Sequence, residues 1–133
     1  MRKRRIGNLF QTGDEKTQKH VPVIECPTTV TAGKSFDVTL TVGKEVPHPV
    51  SAGHHIRWMK LFFQPDDETT VYEVAGFEFA SYGETVENIS TGQVCGHASA
   101  SVRLSVNRPG ALLVIAYCNI HGLWENSAEL GLL

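Results

Sequence analysis

The sequence predicts an all-β domain, an immunoglobulin-like β-sandwich of about seven strands, and three observations carry that expectation. Apolar residues recur at every second position over most of the chain, the spacing of strands that bury one face. Turn-forming clusters interrupt this pattern at short intervals. No segment sustains an apolar i, i+3, i+4 repeat across ten residues, which argues against long helices and against strand–helix alternation.

Taken in order, a first strand is expected at 21–26. Phe36, Val38, Leu40 and Val42 then alternate with Asp37, Thr39 and Thr41. Ile56 and Trp58 share one face of a strand that turns apolar throughout at Leu61, Phe62 and Phe63, and Trp58 is read as core. Another strand is expected at 71–80. Ala98, Ala100, Val102, Leu104 and Val106 alternate with polar residues in the next. The run from Ala111 to Tyr117 is apolar on both faces, the mark of a central strand, and it ends at Cys118. A last short strand is expected near 127–132. Turns are marked by Ala32-Gly33-Lys34, Gln64-Pro65-Asp66-Asp67, Tyr82-Gly83-Glu84 and Asn107-Arg108-Pro109-Gly110.

A chain of 133 residues without an internal repeat is read as one domain. A basic and polar arm (1–18) is expected to precede a sandwich over 19–133. A hydrophobic content of 41% with 20% charged residues is that of a folded domain, and a net charge of −2 gives no overall pull toward nucleic acid or membrane. The run Arg2-Lys3-Arg4-Arg5 has no interleaved aromatics and reads as a solvated terminus, so no nucleic-acid partner is expected. Basic residues at the start are not followed by an apolar stretch of signal-peptide length, and no membrane-spanning segment is present, so a cytoplasmic location is expected. The sequon Asn88-Ile89-Ser90 then carries no weight. Three cysteines, Cys26, Cys95 and Cys118, without a C-x-x-C pair, fit neither a disulfide framework nor a thiolate zinc cluster. Cys26 and Cys95 are read as packing residues.

The six histidines, at 20, 48, 54, 55, 97 and 121, are the unusual feature, because they fall mostly where strands end or loops begin. Cys118 and His121 place a thiolate and an imidazole three residues apart just beyond a buried strand, where one turn can direct both at one metal. His48 stands between Pro47 and Pro49, which stiffen its loop. His54 and His55 open the strand containing Ile56. Successive strand side chains face opposite ways, so the two do not easily reach one metal, and parity does not choose between them. His20 lies at the mouth of the first strand beside Lys19, a residue that is either a solvated charge or a device for attracting an anion.

Four blocks of the chain together resemble a known family. Lys19-His20-Val21-Pro22-Val23-Ile24-Glu25, Val42-Gly43-Lys44-Glu45-Val46-Pro47-His48-Pro49, His54-His55-Ile56-Arg57-Trp58 and Tyr117-Cys118-Asn119-Ile120-His121-Gly122-Leu123-Trp124-Glu125 are similar to superoxide reductase of the one-iron, neelaredoxin type. The resemblance covers roughly residues 19 to 133. It implies an enzyme with a single redox-active iron, held by His20, His48, His54 and His121 as equatorial ligands and Cys118 as the axial one. The sixth position is then open to superoxide, Lys19 attracts it, and His55 is not a ligand. An external electron donor such as rubredoxin is implied, as is a homo-oligomer, dimer or tetramer. One departure stands out. The family has a glutamate that closes the sixth position of the oxidised iron, and this chain has Gln18 there, with Glu15 in the same loop as the candidate substitute.

From another class, a cupredoxin-like electron-transfer protein also sets histidines and a cysteine on a β-sandwich, with a weak axial methionine. The methionines are Met1 and Met59, neither following His121, which weighs against it.

Overall fold

The computed structural model describes residues 3–86 and 92–133; the sequon at 88–90 and Arg2 lie outside them. Among the described residues the only helical element is a single 3-10 turn, Ile6–Asn8, and no helix is long and apolar enough to cross a membrane. Ten strands follow: β1 Val23–Glu25, β2 Thr29–Val30, β3 Phe36–Thr41, β4 Ile56–Pro65, β5 Tyr72–Glu78, β6 Tyr82–Glu84, β7 Val94–Cys95, β8 Ser99–Leu104, β9 Gly110–Cys118 and β10 Gly122–Leu132. One layer of the sandwich is the sheet β1-β3-β8, the other the sheet β2-β10-β9-β4-β5, and β6 and β7 form a separate ribbon. Without β2 and that ribbon, the principal strands number seven, as expected for an immunoglobulin-like sandwich.

The core is the set of inward positions that period two selects. Val38 and Leu40 of β3 face Leu112, Val114 and Ala116 of β9 and Met59 and Leu61 of β4, all essentially without solvent exposure. Fully burying one such aliphatic side chain contributes about 1.5–3 kcal/mol. Along β9, positions 110 to 118 alternate strictly between buried and half-buried. Cys118 is the last inward position of that series, so the pattern that builds the core also carries its sulfur to the core's edge, with 0% exposure.

Three expectations change. Tyr82-Gly83-Glu84, read as a turn, is strand β6, and the turn chemistry of Gly83 (φ +103°) shows instead as a register shift in its pairing with β7. A register shift in the pairing of β4 with β9, between Ile56 and Trp58, inserts an extra residue, so Ile56 and Trp58 do not share a face. Ile56 is buried, whereas Trp58 lies half-buried on the outer side of the sheet, its ring 5.9 Å from that of Tyr117 and near-parallel to it. Trp58 is therefore not core. The last strand is also longer than 127–132: β10 runs eleven residues and pairs with β9 from Gly122 onward. Its first residues, Gly122 to Asn126, show no alternation of apolar and polar side chains, and so lack the period-two signal.

Candidate metal centre

The loops at one end of the sandwich bring the predicted residues together. Ring nitrogens of His20, His54 and His121 and Sγ of Cys118 all lie within 4.8 Å of one another. His48 stands beside this group, with Nε2 3.7 Å from Cys118 Sγ and its ring 4.9 Å from that of His20 and 4.6 Å from that of His54. His121 Nδ1 is 3.8 Å from the sulfur and 3.2 Å from His54 Nε2.

Each side chain is aimed by local chemistry. Cys118 and Gly122 face each other across a three-residue hairpin loop, Asn119 to His121, and Gly122 takes φ +82°, the left-handed position such a loop requires. That turn directs the His121 backbone N–H at Cys118 Sγ, 3.4 Å away. Asn119 ties the turn to the segment carrying His54: its Oδ1 accepts from His55 N–H at 2.9 Å and its Nδ2 donates to the Gly53 carbonyl at 3.0 Å. The loop bearing His48 folds back over Gly43, where φ is +92° and a Cβ would stand 2.7 Å from the His48 nitrogen. Only glycine fits there.

The ring partners fix which nitrogen is left over. His48 Nδ1 meets the Pro49 carbonyl at 2.8 Å, so it carries the proton and leaves Nε2 bare toward the sulfur. His20 Nδ1 lies 2.9 Å from Gln18 Oε1, which also accepts the His20 backbone N–H. His20 Nε2 is then a bare lone pair, buried and without a hydrogen-bond partner. A buried acceptor left this way costs on the order of 1–3 kcal/mol unless something else binds it. Trp124 stacks on His20 at 5.1 Å between ring centres and shields it from water. Burial, with neighbouring histidines and Lys19 adding to it, pushes His20 down to about 4. Burial pushes His48 to about 4 as well, against the opposing hydrogen bond to Pro49, and it lowers His54, with His121 and Lys19 adding to the effect. A neutral imidazole is the state in which histidine ligates a metal.

The remaining candidates fall elsewhere. His55 is buried, with Nδ1 2.9 Å from the Ser51 carbonyl and its ring stacked on Tyr82, away from the cluster. His97 is exposed near the His48 loop. Cys26 packs against the core, and burial raises its thiol. Met59 is fully buried in β4. Glu15 does not turn toward the cluster: its Oε2 accepts from Asn126 Nδ2 at 3.0 Å. Sequence reasoning missed Gln18 as the partner of His20, and it missed Gln11, whose Nε2 donates to the His121 carbonyl at 2.6 Å. The (i, i+2) spacing of Gln18 and His20 was a visible signal for the first; none existed for the second.

Fold and site define a class: a β-sandwich whose strand-end loops gather imidazoles and one thiol into a cluster able to hold a single metal ion. The desulfoferrodoxin family model matches residues 12–127, and the chain belongs to that family. Neelaredoxin of Megalodesulfovibrio gigas is 43% identical over 125 residues, covering 94% of this chain and 96% of that one. Superoxide reductase of Pyrococcus furiosus is 42% identical over 125 residues, covering 94% and 98%. Among solved structures, superoxide reductase (neelaredoxin) from Archaeoglobus fulgidus in the reduced form superposes with a TM-score of 0.83 at 42% identity, covering 92% of this chain and 98% of that one. A Thermotoga maritima structure reaches 0.93 at 42% identity, covering 98% and 99%.

Proposed function

We propose that this chain is a superoxide reductase, reducing superoxide by one electron to hydrogen peroxide at a mononuclear non-haem iron. His20, His48, His54 and His121 would supply four nitrogens and Cys118 the sulfur. The observation that carries this reading is the buried, unpartnered His20 Nε2, aimed into a group of three further donor atoms with its other ring nitrogen already occupied. Relatives named superoxide reductase at more than 40% identity over almost the whole chain support it.

Iron held there would supply the reducing electron, and a donor set of imidazoles with a single thiolate suits its ferrous state. The protein's own residues do the rest. Lys19 lies close enough to lower the charge-bearing tendency of His20, His48 and His54, and the same positive field draws a small anion toward the cluster. His121 is exposed, so this edge of the cluster is the side from which superoxide and the two protons of the reaction arrive. The His121 N–H stabilises the Cys118 thiolate and thereby tunes how strongly the sulfur donates. Gln18 is neutral and engaged with His20, so it would offer no carboxylate to an iron held there. The consumed electron is restored by an external donor, with rubredoxin as the class the resemblance suggests. The five donors lie within 19–133, with 1–18 as an arm, and the working form is a cytoplasmic homo-oligomer.

Metal analysis with an optical spectrum of the oxidised protein tests the reading. About one iron per chain is expected, with a thiolate-to-ferric charge-transfer band that disappears in Cys118→Ser. Copper, or a chain that takes up no metal, would overturn it.

A further inference from the structure

We propose that Gln11 is a positioning residue for the metal centre, clamping His121 through its backbone carbonyl from a point 110 residues away in the chain. The inference rests on the iron-site reading above and extends the centre into the N-terminal arm.

Gln11 is seated on the edge of β10. Its backbone N–H donates to the Leu123 carbonyl at 3.0 Å, its carbonyl accepts from Glu125 N–H at 3.0 Å, and the two segments form a parallel bridge at Trp124. Only the side chain extends beyond this bridge. Its amide Nε2 reaches back along β10 to the His121 carbonyl at 2.6 Å, with a longer contact of 3.4 Å to Leu123. In effect the amide adds one more rung to the ladder, past the point where the arm's backbone leaves the sheet. The same His121 oxygen accepts Trp124 Nε1–H at 3.2 Å, so both of its lone pairs are engaged.

His121 needs such a clamp more than its partners do. His20 is buried and stacked beneath Trp124, and Cys118 ends a core strand. His121 is exposed on a three-residue loop, so packing contributes little to its orientation. Its N–H contacts Cys118 Sγ and its carbonyl is held by Gln11 and Trp124, so the residue is pinned on both sides along the backbone. A Gln11 side chain that can no longer donate leaves the bridge to β10 intact and leaves the His121 carbonyl to Trp124 alone.

Three variants test the donor: Gln11→Ala removes it, Gln11→Glu keeps the shape but presents an acceptor, and Gln11→Lys restores a donor of similar reach. Loss of iron to a strong chelator should accelerate about 10-fold in Gln11→Ala and Gln11→Glu, the lower end of what orienting partners of metal ligands contribute, and Gln11→Lys should recover most of it. The charge-transfer band should shift in the first two and return in the third, which a loss of stability alone would not produce. Amide hydrogen exchange in the metal-free proteins gives an independent readout: residues 119–122 should exchange faster in Gln11→Ala and Gln11→Glu than in the parent. Iron retention, band and exchange all unchanged in Gln11→Glu would overturn the clamp. A parent chain that takes up no iron but shows the exchange pattern would overturn the iron reading and leave the clamp standing.

Discussion

His20 and His121 meet in one cluster, their rings 4.5 Å apart, yet they are held by opposite means. His20 is 5% exposed, roofed by Trp124 and with its tautomer set by the side chain of Gln18. His121 is exposed and held through its backbone, by the hairpin turn on one side and by Gln11 and Trp124 on the other. One corner of the site is thus built as core and the other as a braced rim. A site reached by a small anion needs both, because a fully buried cluster would bar the substrate and a fully exposed one would lose its geometry.

The sharpest way to break this contrast is Trp124→Ala, which removes the roof from the buried corner. Losing a large buried aromatic costs about 3–5 kcal/mol, so a marked fall in melting temperature is expected in calorimetry, with metal binding impaired as well. Gln18→Leu should act on the ligand rather than on the fold. The metal-free protein loses about 1 kcal/mol, while iron affinity measured by chelator competition falls by at least about 10-fold as the His20 tautomer is released. Lys19→Ala should leave the iron spectrum intact and slow the reaction with superoxide by up to about 10-fold at low ionic strength. In pulse radiolysis that difference should shrink as salt is added; an unchanged rate constant would remove Lys19 from the reaction. The smallest effect is expected for His121→Ala on the metal-free protein, whose denaturant midpoint should move by no more than about 0.5 kcal/mol equivalent, since an exposed rim residue carries no core. A large destabilisation there would erase the distinction between the two corners.

Much of this arrangement is legible in the chain, and what is not has identifiable causes. Period two places Val38, Leu40, Val114 and Ala116 in the core correctly because both sheets bury one face. It also leads directly to Cys118 as the end of a central strand. Parity fails at Trp58, because one inserted residue opposite Cys118 and Tyr117 reverses the face of everything on one side of it. Parity could not separate His54 from His55 because the strand start was uncertain, and both lie before β4, which begins at Ile56; hydrogen bonds with Ser51 and Asn119 hold this segment, with His55 against Tyr82 and His54 in the cluster. The departure at Gln18 was visible as a missing carboxylate. Its use as a hydrogen-bond acceptor for His20 was signalled only by the (i, i+2) spacing, since a side-chain amide leaves no periodic trace. Gln11 was less visible still, since its partner lies at the opposite end of the sequence.

Gly43 has a bearing on how damage to this protein would look from outside. It lies far from the chemistry in type and offers no atom to a metal, yet the nitrogen of His48 occupies the space where its Cβ would be. A substitution there would displace the stiff proline-bounded loop and leave the two sheets untouched. Such a variant would pass tests of expression, solubility and secondary structure and still be inert. A screen scored by folding would call it silent, and one scored by colour would class it with lost ligands.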